Sequence, residues 1–283
     1  MMWKESYRIG VESVDRQHRK LFEMVENLLE IIRYDRGGDS KEGCIEAVAF
    51  LRDYAVRHFT DEEEYQVAVG YEGLEEHKEL HRNFVVSVLD YAKKMEETDY
   101  DMSVVRSFSG FLTAWLVYHV ADADQRIVGK IPEKTEDPLK SYADNFSASI
   151  YEVFETMMGL RADEIRKIDE PERLFEGDMF VEVGLTGDIN GKVVFIYSRE
   201  FAQAMMNAFM PYEMKELEEV VSSAMAEISN IVSGRAATKL SNAGVRCNIE
   251  PPLVAIRPYP ARDNEGFHME TPGGDLQVLL AVE

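Results

Sequence analysis

The stretch EEHKELHRNF, residues 75–84, sets His77 and His81 four positions apart in a chain with six histidines. Positions i and i+4 of a helix lie one turn apart on the same face, so both imidazoles can reach one metal ion. The zinc-protease helix H-E-x-x-H also needs a Glu directly after its first His, as general base. Here Lys78 takes that place, and Glu79 lies roughly 200° round the helix from His77. The spacing keeps metal binding and discards the protease. A pair of exposed helix histidines is the plain alternative unless further donors converge on them.

Three more histidines are candidates. His18 stands one turn before Leu21 and Phe22, on an apolar stripe that continues through Val25, Leu28, Leu29 and Ile32. His58 shares a helix side with Phe50, Leu51, Tyr54, Glu62 and Tyr65, so Glu62 stands where a core residue is expected. His77 and His81 align with Phe84, Val88 and Tyr91, while His119 follows Leu112, Trp115 and Leu116 and precedes Asp122 and Asp124. One buried His is most often structural, but five on inner stripes accompanied by carboxylates make a donor set. Imidazole with carboxylate suits iron, zinc, copper or manganese. Seven donors exceed the four that close a structural zinc site, so two ions are implied. If two six-coordinate ions share two carboxylates and a solvent-derived bridge, five imidazoles leave about one position open for a small ligand.

A second constellation lies in VVSSAMAEISNIVSGRAATKLS, residues 220–241. Val221, Ala224, Met225, Ile228 and Val232 form an apolar helical stripe, and Glu227 and Asn230 share the other side, about 60° apart. Their neighbours Ser223, Gly234 and Ser241 keep that face low, so a partner's loop could approach closely. The alternative is a solvated face with the glycine in a packing contact.

Four amphipathic helices must position the histidines, with breaks at DRGGDS, VGYEG and ETDYDMS, and they predict an up-down-up-down bundle. The segment KIPEKTEDP, with two prolines and no apolar periodicity, marks a boundary. We expect an all-α bundle over 1–130, a linker over 131–144 and an α+β domain over 145–283. In the second half FSASIYEVFETMMGL reads as a helix. MFVEVGLTGDINGKVVFIYS reads as two strands around Gly187-Asp188 and Asn190-Gly191. A long helix is expected from about Glu216 to Leu240, and PPLVAIRPYP and GDLQVLLAVE are strand-like.

The 283 residues suffice for two cores, and a net charge of −22 argues against nucleic-acid or anionic-membrane partners. Cys44 and Cys247 offer neither a disulfide framework nor paired thiolates, which fits a reducing cytoplasm. No apolar leader opens the sequence and no run nears the ~20 apolar residues of a membrane span, so neither export nor a membrane is expected.

Trp3, Tyr7 and Gly10, followed by VDRQH (14–18), HFTDEE (58–63), HKELH (77–81) and WLVYHVADAD (115–124), resemble the bacterial hemerythrins in order and spacing. The resemblance covers roughly residues 1–130. It implies that His18, His58, Glu62, His77, His81, His119 and Asp124 hold two non-haem irons joined by an oxo or hydroxo bridge, with Glu62 and Asp124 also bridging. It further implies reversible binding of O2 or another small diatomic. Glu63 and Asp122 receive supporting or solvent-facing roles, and His268, which matches nothing in the pattern, is expected at the surface.

The second half, about 145–283, is similar to the CheX/CheC-type phosphatases of bacterial chemotaxis, in the single-site CheX form. GLTGDINGKVVFIYS, the E-x-x-N of Glu227 and Asn230 with GRAATKL behind it, and PPLVAI carry the likeness. It implies that Glu227 pairs with a cation on a phosphorylated CheY-like response regulator, while Asn230 positions water against the aspartyl phosphate. The regulator would supply Mg2+ and Lys, and a homodimer is common among such proteins. AIRPYPARDNEGFH departs from the family by lacking an early Gly after the Pro-Pro strand, which puts the pairing of the outer strands in question. Together the halves imply an oxygen- or redox-sensing di-iron protein acting as a phosphatase on a response regulator. The alternative is an oxygen carrier or scavenger with a docking or dimerisation module.

Overall fold

A computed structural model describes residues 2–34, 40–131, 142–159, 166–168, 179–210, 218–257, 259 and 265–282. The chain divides into two compact units, Met1–Glu133 and Lys134–Glu283. Most of the expected linker, 131–144, lies outside the described residues.

The first unit is a bundle of α1 (Glu12–Arg33), α2 (Ser40–Val69), α3 (Leu74–Glu97) and α4 (Met102–Tyr118). A π-helical turn, His119–Ala123, and the short α5, Asp124–Ile127, extend α4. The α1 stripe is buried from His18 to Ile32 as expected. On α2 the buried line is Cys44, Ala47, Val48, Leu51, Ala55, His58, Phe59, Glu62 and Gln66, whereas Phe50, Tyr54 and Tyr65 are only half-buried. The four-residue step from His58 through Glu62 reaches Gln66 rather than Tyr65, because it drifts only about 40° per step. Asp101 caps α4 by accepting the Ser103 N–H at 2.8 Å. The Asp15 carboxylate of α1 accepts from Ile9 and Gly10, drawing the N-terminal arm across the bundle so that Trp3 and Tyr7 pack on Phe22.

The second unit is α+β: α6 (Tyr142–Met158), β1 (Arg166–Ile168), β2 (Met179–Gly187), β3 (Gly191–Tyr197), α7 (Arg199–Phe209) and α8 (Glu218–Asn242). The strands β4 (Cys247–Ile249), β5 (Leu253–Ala255), β6 (Glu265–Thr271) and β7 (Gly274–Val282) complete it. The sheet order is β1-β6-β7-β3-β2-β4, with β5 also on β2, and all recorded pairs are antiparallel. The β2–β3 hairpin forms at the expected turn. Gly187 is required there: its φ is +128°, and a Cβ would meet the Arg246 carbonyl at 2.5 Å. Alternate residues of the hairpin face the helices, and the Tyr197 hydroxyl meets Ser229 Oγ of α8 at 2.8 Å. The buried stripe of α8 begins at Val220 rather than Val221.

Three strands escaped the sequence reading. β1 and β4 have three residues each, and the polar β6 is a strand because β7 and β1 pair on its two sides. This corrects the expectation for His268. It is buried within β6, opposite Gln277 and Ile168, with Nε2 3.6 Å from Asp275 Oδ1.

Candidate metal centre and a second site on α8

The bundle brings together all seven residues singled out for metal. His18 comes from α1, His58 and Glu62 from α2, His77 and His81 from α3, and His119 and Asp124 from the two sides of the π turn; all are buried. Two donor groups form, His18-His58-Glu62-His119 and Glu62-His77-His81-His119, each with its ligating atoms within 4.8 Å of one another. They share Glu62 and His119.

The carboxylates stand between the groups. Glu62 Oε1 lies 2.7 Å from His77 Nε2 and 3.6 Å from His81 Nε2, whereas Oε2 lies 3.3 Å from His58 and 3.4 Å from His119. Asp124 divides likewise, with Oδ2 3.1 Å from His18 Nε2 and Oδ1 3.5 Å from both His77 Nε2 and His119 Nδ1. Each acid thus turns one oxygen to each group, and a carboxylate so placed could serve ions on both sides.

The π turn explains why the acid stands five residues after His119. In an α-helix that spacing would put Asp124 roughly 140° away from His119. Here the Asp124 N–H bonds the His119 carbonyl, an i→i+5 bond, and the wider turn carries both side chains to one face. Asp122, three residues on, instead forms a paired salt bridge with Arg126 at 2.8 and 3.2 Å. Spacing alone did not reveal this, since nothing in VADAD announces a π turn.

Second partners fix ring orientation. His81 Nδ1 donates to Glu63 Oε1 at 2.8 Å, and His58 Nδ1 donates to Gln17 Oε1 at 3.2 Å; Gln17 in turn donates to Asp61. Because carboxylate and amide oxygens accept, each ring carries its proton outward and turns a lone pair on Nε2 inward. Phe59 stacks on His81 at 3.9 Å and Trp115 on His119 at 4.5 Å, and both also line a small apolar cavity of about 10 Å3.

The inward atoms have no hydrogen-bond partner. They include Nε2 of His18, His58, His77, His81 and His119, Oε2 of Glu62 and both oxygens of Asp124. Buried polar atoms are ordinarily paired, so this concentration marks a place for cations. The protonation balance agrees. Burial, with the nearby charge of His18, holds His58 well below its usual range, and burial with His119 does the same to His81. Burial also opposes charge on His18 and His77, yet the close carboxylates of Asp124 and Glu62 push His18 up to about 9 and raise His77. Burial opposes ionisation of Glu62 too, but His119 and its neighbours hold it well below the usual carboxylate range. The buried carboxylates therefore favour positive charge at the centre of the cluster, which suits cations.

On α8, Glu227 and Asn230 come together as the spacing required. The Asn230 amide donates to the Glu227 carboxyl, and burial pushes that carboxyl up to about 8 despite this bond. Both residues are only half-buried, unlike the metal donors. Ser229, between them and the sheet, bonds Tyr197 and the Met225 carbonyl, and Gly234 lies over Ile249, where a Cβ would be in contact at 3.6 Å. Farther along the helix, Arg235 and Lys239 grip Glu152 of α6 at 2.9 and 3.1 Å. Ser229 was missed because its role depends on a tyrosine 32 residues away.

The fold and site define a four-helix metal-binding bundle joined to an antiparallel α+β module. A model of the hemerythrin HHE cation binding domain matches residues 9–131, and one of the chemotaxis phosphatase CheX matches 179–264. A bacteriohemerythrin of Clostridium acetobutylicum is 28% identical over 128 residues, 45% of this chain and 98% of that protein. The CheY-P phosphatase CheX of Thermotoga maritima is 30% identical over 112 residues, 38% of this chain and 69% of that protein. A chemotaxis protein CheX of Vibrio vulnificus, solved by crystallography, superposes with a TM-score of 0.45 at 20% identity, covering 53% of this chain and 100% of that one. The chain is thus a hemerythrin HHE domain fused to a domain of the CheX chemotaxis phosphatase family. Among the described residues no helix is long and apolar enough to cross a membrane.

Proposed function

We propose that the chain is an oxygen- or redox-responsive effector. In this reading residues 1–130 hold two irons through His18, His58, Glu62, His77, His81, His119 and Asp124, and residues 145–283 dephosphorylate a CheY-like response regulator in the cytoplasm. The supporting observation is the set of partnerless imidazole and carboxylate atoms, with each acid divided between two donor groups. When bound, a pair of irons supplies redox change and a coordination position for O2 or another small diatomic. The protein's own part is to aim the Nε2 lone pairs, through Glu63 and Gln17, and to keep water out with Phe59 and Trp115.

In the second domain Glu227 pairs with a cation of the regulator, and Asn230 orients water behind the phosphorus. An oxygen–phosphorus bond forms as the aspartyl O–P bond breaks, releasing phosphate and the free carboxylate. An acyl phosphate is a reactive mixed anhydride and the regulator brings its own Mg2+, so a positioned amide is enough. The CheX relative's description as a CheY-P phosphatase supports this partner class.

Coupling requires that the sensed state bind two conformations of the chain unequally. Regulator dephosphorylation is to be timed with the diferric protein, with the diferrous protein under argon, and with the diferrous protein given O2. Different rates support the sensor, whereas equal rates leave an oxygen carrier or scavenger with a docking module.

A further inference from the structure

Gln66 is fully buried one turn past Glu62, and its amide N–H donates to Glu62 Oε1 at 2.8 Å. An ionised carboxylate only accepts, so the amide nitrogen must face it. The amide oxygen is then enclosed without any donor. Such an atom costs about 1–3 kcal/mol, a cost that Leu or Met of similar volume would not carry. A side chain poorly suited to the core, yet bonded to the acid at the centre of the site, points to a task there.

The bond is one-sided. Oε1, on the side of His77 and His81, takes the Gln66 N–H, whereas Oε2, near His58 and His119, has no hydrogen bond. We propose that Gln66 is a positioning residue that makes the two metal positions unequal. Its N–H holds Glu62 in place and withdraws electron density from Oε1, so that oxygen becomes the weaker donor to an ion beside His77 and His81. A weaker anionic donor disfavours the more highly charged metal state and raises the reduction potential on that side.

This inference rests on the di-iron reading, and the experiment separates the two. Full-length parent, Gln66→Leu and Gln66→Met are loaded with iron, and iron content, midpoint potential and thermal unfolding of the metal-free forms are measured. Both variants are expected to keep about two irons per chain and to unfold no earlier than the parent. Their first oxidation equilibrium should shift about tenfold toward the ferric state, equivalent to about 59 mV for one electron. Full iron content with a shift below about twofold overturns the role of Gln66, as does loss of iron in both variants alone. A parent that itself holds less than about one iron overturns the di-iron reading instead.

Discussion

The two candidate sites are built in opposite ways. In the bundle every donor is buried and comes from a different turn or helix, and the inward Nε2 atoms, Glu62 Oε2 and both Asp124 oxygens have no hydrogen-bond partner. On α8 the two residues lie one turn apart on a single helix, half-buried, and bond each other. The first arrangement is costly without cations and so is made to keep resident ions. The second satisfies itself at rest, and in the proposed reading another molecule completes it. Desolvation accordingly does different work in the two: it leaves the buried histidines and acids in want of cations, whereas at Glu227 it favours the neutral carboxyl.

The largest expected effect tests the bundle. Replacing His77 and His81 together by Ala should take iron from about two per chain to below one and abolish the visible absorption, while the second unit keeps its circular dichroism. Retention of both ions would break the contrast between the sites. Next, Asn230→Ala should slow regulator dephosphorylation about 100-fold with the iron spectrum unchanged, because it removes the group that positions water. An undiminished rate would show that α8 is only a packing helix.

A smaller effect is expected at Glu63. Its removal in Glu63→Ala frees the His81 ring to turn, and iron affinity should fall about tenfold in a competition titration with a chelator. Equal affinity would mean that packing on Phe59 alone orients the ring.

The smallest is a pH effect on the second unit. The folded Glu227 holds its proton up to about pH 8 against an ordinary 4.5, so the folded state binds more protons through that interval and stability falls as pH rises across it. Glu227→Gln should flatten this slope and stabilise the unit at pH 8 by about 2 kcal/mol, half of the ~4 kcal/mol that the full shift implies, because solvent screens a half-buried carboxyl. The same variant should lose regulator docking. A parallel pH slope in denaturant melts of parent and variant would place the carboxyl in open solvent and erase the difference drawn here.

Much of both sites was legible because helical spacing is local. His18, His77, His81 and the pair Glu227 and Asn230 could be assigned to faces by counting at 3.6 residues per turn. The hairpin of β2 and β3 was legible from its glycines. The same counting fails at Asp124, where a π turn alters the period, and at Tyr65, where Gln66 takes the inner place. It also fails for His268, which is buried because β1, an otherwise nondescript tripeptide, pairs beside it.

By itself the sequence determined which side chains could share a helix face, because that depends on backbone geometry within one or two turns. Tertiary structure alone decided which oxygen of Glu62 faces which imidazoles, that Asp124 joins them, and that Gln66 touches only one side. Those relations are set by how four helices pack at ångström scale, and no periodicity along one chain segment encodes the distance to another.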